Sequence, residues 1–361
     1  MIFFGGGVTL SDTSDALRAI VQRLGVPTAS TLMGLGCVAQ DTKGYLGFAG
    51  MHGSYGANMA IQECDLLVCI GMRFSDRVTG RVAEFAPNAK IVHFELDIAE
   101  VNKNVAVDYR VLGDLRWSLP ILLEKLQASK TDFAGKYAAW MEHVLAVGAE
   151  HPFSYQEDGD IIKPGALIRK ISALSDDRTI AVTDVGQHQM WAAQFYRYKE
   201  PHQLLTSGGL GTMGYGLGAA IGAKMGCRDR TVINIAGDGC FRMNMNEIAT
   251  ASRYNIPVIE VVINNHVLGM VRQWQSLFYG KRFSQTSLAD KVDFAKVAEG
   301  LGAKGYTVTT KEEFDAALKE AIKIDIPVVI DAQIDNNQLV FPMVAPGSSI
   351  QECFVETDLP S

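Results

Sequence analysis

Thr231-Val232-Ile233-Asn234-Ile235-Ala236-Gly237-Asp238-Gly239 and then Val258-Ile259-Glu260-Val261-Val262-Ile263-Asn264-Asn265 are the stretches that decide how this chain folds. Each is a short apolar run that ends in a polar or glycine-rich turn. Continuous runs of this kind suit strands buried on both faces, and hence a parallel sheet with helices outside it. Between Gly239 and Asn264 lie 24 residues, enough for one helix between parallel strands. Both turns therefore fall at the carboxyl ends of neighbouring strands, where open α/β sheets bind ligands. A hard cation such as Mg²⁺ takes oxygen ligands in near-octahedral geometry and is commonly shared with phosphates. Asp238 offers a carboxylate, Asn265 an amide oxygen, and a backbone carbonyl near Val267 a third ligand. The glycines flanking Asp238 let the backbone approach a diphosphate closely. Gly-Asp-Gly alone is a common turn; its pairing with Asn264-Asn265 at this spacing, each behind an apolar strand, is what carries weight.

Working outward, the expected architecture is α/β, with two doubly wound parallel-sheet domains. In the first half, strands are expected at 2–4, 66–70, 91–95 and 109–112, with helices at 14–24 and 115–126. Ile2-Phe3-Phe4 reads as a buried strand running into Gly5-Gly6-Gly7, and a core strand at residue two suggests that something precedes it. The polar stretch 129–160, with Pro152 and Glu157-Asp158-Gly159-Asp160, reads as a helix followed by an exposed connection. The second domain is expected over 161–361. Pro164 stands where a helix starts, and strands are expected at 179–183, 231–235, 258–263 and 328–331. The tail 335–361, with Pro342, Pro346 and Pro360, reads as an irregular lid.

Composition narrows the function. A net charge of −7 argues against nucleic acid, which wants a basic stripe. No apolar run approaches the ~18 residues of a membrane span. The start is too short and uncharged for a signal peptide. Cysteines 37, 64, 69, 227, 240 and 353 form no C-x-x-C pair and read as reduced thiols, as in a cytoplasmic protein.

Three further runs are specific. They are Asp184-Val185-Gly186-Gln187-His188-Gln189-Met190-Trp191, Gly211-Thr212-Met213-Gly214-Tyr215-Gly216 and Gly269-Met270-Val271-Arg272-Gln273-Trp274-Gln275. With the two turns above, they resemble the large catalytic subunits of the acetolactate synthase (acetohydroxyacid synthase) family of thiamine-diphosphate enzymes, over essentially the whole chain. The resemblance implies thiamine diphosphate and Mg²⁺ in the second half, the metal held by Asp238, Asn265 and Val267. Gly237, Asp238 and Gly239 would meet the diphosphate. Met213 stands at the apolar wedge under the bent cofactor. Val185, Gln187, His188 and Gly211 stand in its contacting loops, and Met270 on its pyrimidine. Trp274 matches the tryptophan near the acceptor pocket, where sulfonylurea-type herbicides dock.

In the first half, Gly5-Gly6-Gly7 is not a G-x-G-x-x-G fingerprint. Arg73 and Arg77 suit diphosphate oxygens through the guanidinium fork. These stretches resemble the FAD-binding middle domain of the same family, making 1–128 a Rossmann-like domain. The matching positions are Gly6, Thr31, Leu32, Gly50, His52, Gly71, Arg73, Asp76, Arg77, Asp97, Ile98 and Asp114. Ser75 departs from the aspartate usual there.

The activity implied is decarboxylation of pyruvate and condensation with pyruvate or 2-ketobutyrate, a step of branched-chain amino-acid biosynthesis, by a homo-oligomer with room for a regulatory subunit. Family members also carry a pyrimidine-binding domain, whose glutamate bonds the pyrimidine N1′ across a dimer interface. This chain corresponds to the other two domains, so a separate pyrimidine domain is expected as partner and the chain alone is expected to be silent. The alternatives are a non-catalytic cofactor-binding remnant, or another carboligase or oxidase of the superfamily, such as glyoxylate carboligase or pyruvate oxidase. Gln273-Trp274-Gln275 points away from these last two.

Overall fold

The computed structural model describes residues 1–155, 159, 161–289 and 291–358. Glu157, Asp158 and Asp160 of the acidic run, and Pro360 of the tail, lie outside the described residues. The chain divides into two compact units, one of residues 1–153, 198–201 and 341–361, the other of residues 154–197 and 202–340.

The first unit is built on β1 (Ile2–Phe4), β2 (Thr28–Ser30), β3 (Tyr45–Phe48), β4 (Leu66–Ile70), β5 (Lys90–Glu95) and β6 (Tyr109–Leu112), in the order β3-β2-β1-β4-β5-β6. Every pairing is parallel. Alternate side chains of β1 feed two different cores. Ile2 and Phe4 join Ile70, Leu17, Ile20 and Leu119 on one face, and Phe3 joins Leu67, Cys69 and Ile91 on the other. This two-sided burial explains the unbroken apolar runs. The helix Ser14–Leu24 buries Leu17, Ile20 and Val21 at helical spacing, and Gly25 ends it in the left-handed region at φ 59°. The stretch expected as a helix followed by an exposed connection holds two helices, Phe133–Lys136 and Ala138–Glu150; the second buries Met141 and Val144 in this unit.

The end of the chain also belongs here. Val344, Ile350 and Cys353 are buried in the core that holds Phe3. Val344 donates its N–H to Met51 O (2.8 Å), and Arg81 donates to Ser348 O (2.9 Å). Gln62 Nε2 donates to Ser349 Oγ (3.0 Å). The expected lid thus divides: its first residues stay with the second unit, and 341–358 are built into the first. Apolar burial and these hydrogen bonds are the reason.

The second unit carries β7 (Ile180–Thr183), β8 (Leu204–Thr206), β9 (Val232–Gly237), β10 (Ile259–Asn264), β11 (Lys304–Val308) and β12 (Val328–Gln333), in the order β11-β12-β10-β9-β7-β8, again all parallel. Pro164 is the first residue of the helix Pro164–Leu174, where its missing N–H leaves nothing unpaired. Four strands absent from the expectation appear: β2, β3, β8 and β11. Among the described residues no helix is long and apolar enough to cross a membrane. The six cysteines are all free.

Candidate functional site

In the second sheet β7 and β9 are neighbours, yet the chain leaves β7 towards β8 on one side and β9 towards β10 on the other. Reversal of strand order opens a crevice at the carboxyl ends. Residues 185–188, 237–240 and 267–271, with Met213 and Asn265, line one cleft there, of about 490 Å³ including its open mouth. Three helices, Gln187–Phe195, Asp238–Asn244 and Gly269–Phe278, begin at this cleft, and none has a side-chain cap. Uncapped first-turn N–H groups carry partial positive charge, so their convergence suits an anion such as a diphosphate. Glycine is required where these turns crowd together: a Cβ on Gly237 would press on His188 Nδ1, at 2.9 Å.

Asp238, 1% exposed, opens the second of these helices. Its Oδ2 has no hydrogen-bond partner. Burial pushes its carboxyl up to about 6, against the opposing pull of the Gly239 N–H and the Arg242 and His266 charges. A buried carboxylate oxygen without a partner is costly unless a cation meets it. Asn265 is also buried; its Oδ1 accepts from Val267 N (3.2 Å) and retains a second lone pair. Among the described residues no three His, Cys, Asp or Glu side chains gather into a metal cage. The residues therefore fit a cation that takes one carboxylate and neutral oxygens from the protein and the rest from a bound phosphate, as Mg²⁺ does.

His188 is buried with Nε2 unpartnered in the cleft. Burial lowers its pKa to about 4 despite the nearby Asp184 carboxylate, so the ring is neutral at pH 7. Asp184 itself clamps a neighbouring turn. Its Oδ1 accepts from Gly214 N (2.7 Å) and its Oδ2 from Gly216 N (3.0 Å), which fixes the backbone just after Met213 and holds that side chain in the cleft.

Val185, Gln187, His188, Met213, Gly237, Asp238, Gly239, Asn265, Val267 and Met270 are thus brought together. Gly211 is not among the lining residues but lies beside one, since a Cβ added to it would meet Val185 Cγ1 at 3.7 Å. Trp274 does not line this cleft; it is half-buried on the same helix as Met270 and packs edge-on to Phe278, centroids 5.8 Å apart. Cys240, Leu268 and Trp191 also line the cleft. Periodicity and motif gave no sign of Leu268. Trp191 stands inside a quoted run and Cys240 directly after one, but neither carried a chemical signal.

The first sheet also reverses order, between β1 and β4. Gly6 follows β1; Thr31 and Leu32 follow β2; Gly50 and His52 follow β3. Gly71, Arg73, Asp76 and Arg77 follow β4, Asp97 and Ile98 follow β5, and Asp114 follows β6. All twelve lie along one carboxyl edge. The glycine turn becomes a helix at once, Gly6–Leu10. Gly7 N donates to Gly71 O (2.8 Å), and a Cβ on Gly7 would overlap the Gly71 backbone. Gly71 (φ 56°) and Gly50 (φ 117°) occupy backbone conformations that favour glycine. Arg77 pairs with Asp76 (2.9 Å) on the surface, Arg73 is exposed, and the Asp114 carboxylate is taken by Arg116 (2.6 Å). His52 is buried, which lowers its pKa to about 4.

Comparison with known proteins finds a domain match in each half of the chain. Residues 1–126 match the central domain of thiamine pyrophosphate enzymes, and residues 184–332 match their C-terminal TPP binding domain. The chain is 41% identical over 352 residues to the acetolactate synthase isozyme 2 large subunit of Escherichia coli K12, covering 98% of this chain and 63% of that protein. It is 43% identical over 355 residues to the acetolactate synthase large subunit of Corynebacterium glutamicum (97% and 56%). Against the probable acetolactate synthase large subunit of Methanocaldococcus jannaschii it is 42% identical over 356 residues (97% and 60%). The chain spans 56% to 63% of the length of these relatives. With both domain types present in order on their two parallel sheets, the chain belongs to the thiamine pyrophosphate enzymes.

Proposed function

We propose that this chain provides the cofactor-holding part of an acetolactate synthase catalytic subunit, which converts two pyruvate molecules to acetolactate and CO₂, or one pyruvate and one 2-ketobutyrate to the homologous product. The observation that carries the reading is the convergence of three uncapped helix N-termini on a cleft holding the unpartnered Asp238 Oδ2. The choice of acetolactate synthase within the superfamily is supported by the 41–43% identity to proteins of that name and by Gln273-Trp274-Gln275.

When bound, thiamine diphosphate supplies the carbanion chemistry of decarboxylation and condensation. The protein binds and orients. First-turn N–H groups at 187–188, 238–240 and 269–271 receive the diphosphate. Asp238, the Asn265 amide oxygen and the Val267 carbonyl hold Mg²⁺. Neutral His188 would border the same anion without adding charge. Met213 and Met270, both lining the cleft, would pack against the cofactor, Met270 on its pyrimidine. Trp274, clear of the cleft, shapes the acceptor side. In the first unit the carboxyl edge from Gly6 to Asp114 would take FAD, with Arg73 and Arg77, the cations nearest in sequence after β4, to serve its diphosphate.

Asp238 is the one carboxylate among the residues lining the cleft, and it is committed to the metal. In this reading the carboxylate for the pyrimidine end is supplied by a pyrimidine-binding domain, since among the described residues no second carboxylate lines the cleft. Purified chain with thiamine diphosphate, Mg²⁺, FAD and pyruvate is expected to release no CO₂ above background. Adding the pyrimidine-binding domain of a related enzyme should yield acetolactate. Acetyl phosphate or free acetaldehyde as the main product would overturn the assignment, and so would sustained turnover by the chain alone.

A further inference from the structure

We infer that Gln273 is a positioning residue: together with the backbone groups Gln338 O and Val267 N it holds the direction of the Asn265 amide, acting through Gln187, and so keeps the Asn265 oxygen turned to the cation. The inference rests on the reading above that Asn265 is an amide ligand of the metal. A side-chain amide has an acceptor end and a donor end of nearly the same shape, so its direction is decided by its partners alone. Three such amides, Gln273, Gln187 and Asn265, stand in a row in the second unit, 0%, 3% and 5% exposed.

Direction enters the row at a backbone, where polarity is fixed. Val340 N donates to Gln273 Oε1 (2.8 Å), and Gln273 Nε2 donates to Val340 O (3.0 Å). Only one orientation of the Gln273 amide satisfies both. Its Oε1 also accepts from Gln187 Nε2 (2.9 Å), whose second N–H goes to Gln338 O (2.8 Å). Both donors of Gln187 are thereby taken, and its Oε1 is left facing Asn265, whose Nδ2 donates to it (3.3 Å). Asn265 Oδ1 then has no orientation open but towards Val267 N and the cleft. Gly269 makes the meeting possible: any Cβ there would collide with Gln187 Oε1 and with Asn265 Nδ2.

The reversed row would set Gln187 Oε1 against Gln273 Oε1, two acceptors without a proton between them in a buried site. That arrangement is disfavoured, so the direction of Asn265 is built in before any cation arrives. Residues 338–340, near the start of the expected lid, thus serve as the fixed end of a relay to the metal.

The test is Mn²⁺ affinity in the presence of thiamine diphosphate, read by electron paramagnetic resonance on the full chain, with thermal melts to verify folding. Gln273→Met keeps the length and removes the amide. It should weaken Mn²⁺ binding about fivefold, the effect of losing one neutral hydrogen bond's bias. Gln273→Glu, taken up as the neutral acid, can donate to Val340 O and accept from Val340 N and Gln187, and should restore the wild-type value. The deciding arm is Asn265→Asp, whose side chain has oxygen at both ends and no direction to set. In that background Gln273→Met should cause no weakening. Equal weakening in both backgrounds would reduce Gln273 to a bolt for the tail and overturn the inference, as would no weakening in the wild-type background. If Gln273→Met does not fold, Gln187→Met breaks the same row one link on and is read in the same two backgrounds. Asn265→Ala separates the levels. If it leaves Mn²⁺ affinity unchanged, the metal reading fails; if it weakens binding while Gln273→Met does not, only the relay fails.

Discussion

Replacing Asp238 with asparagine should stabilise the empty protein and disable the loaded one. The carboxyl is 1% exposed and its Oδ2 has no partner. Burial raises its pKa from an ordinary 3.8 to about 6, which corresponds to about 3 kcal/mol at about 1.36 kcal/mol per tenfold change in proton affinity. Because the pKa rises on folding, this group's stabilising contribution is present below about pH 4, where it is protonated in both states. It is lost as pH climbs through about 6. At pH 7 the fold therefore carries an ionised, unmatched carboxylate. An amide in its place keeps the shape without the charge, so Asp238→Asn should gain up to about 3 kcal/mol at pH 7. For a cooperative unit of roughly 150–250 residues that is a rise of about 6–12 °C in Tm. At pH 4 the gain should vanish. Metal-dependent binding should move the other way, because the one formal negative charge near the cation is gone. A loss of about 2–4 kcal/mol, roughly 30- to 1000-fold, is expected. Differential scanning calorimetry of wild type and variant at pH 4 and 7, without ligand, reads the first effect. Calorimetric titration of thiamine diphosphate with Mg²⁺ reads the second. A variant whose advantage over wild type is no larger at pH 7 than at pH 4, with undiminished cofactor affinity, would refute the argument and move the cation elsewhere.

Glu260, fully buried in β10 with both oxygens accepting from Asn234 Nδ2 (2.9 and 2.8 Å), is held well above the ordinary carboxylate range by burial. Its contribution too is present at acid pH and lost as pH rises, so the stability difference between Glu260→Gln and wild type should grow in the variant's favour from pH 5 to pH 8 in urea titrations. Gly71→Ala forces a left-handed residue worth about 1–2 kcal/mol of strain and presses on Gly7. Denaturant midpoints should report at least about 2 kcal/mol lost, with flavin retention by the purified protein falling in parallel.

The fold was legible where strands are buried on both faces. Leu66–Ile70 and Val232–Gly237 sit inside their sheets, and their runs, apolar but for Asn234, announce them. The strands that escaped notice are mostly edges. Tyr45–Phe48, Leu204–Thr206 and Lys304–Val308 each end a sheet, where one flank is free and residues such as Lys304 and Gly305 are tolerated. Thr28–Ser30 is interior but small and only three residues long, too short for a pattern. That Asp238 and Asn265 meet at one cleft was legible because each stands in a turn at the carboxyl end of a neighbouring strand. The tie from Gln273 to Val340 was not, since it joins positions 67 apart in sequence and an amide on a helix looks like a surface residue until its burial is known.

The tail 341–358 docks on the first unit through Met51, Gln62 and Arg81, although the chain reaches it only after building the second unit. In effect it is a peptide ligand bound in cis. A fragment of residues 1–153 would leave that groove empty, with the apolar sites of Val344, Ile350 and Cys353 open to water. A synthetic peptide of residues 341–361 should then bind it as an inhibitor binds a cleft, and the affinity measured would report directly how strongly the last segment holds this unit closed.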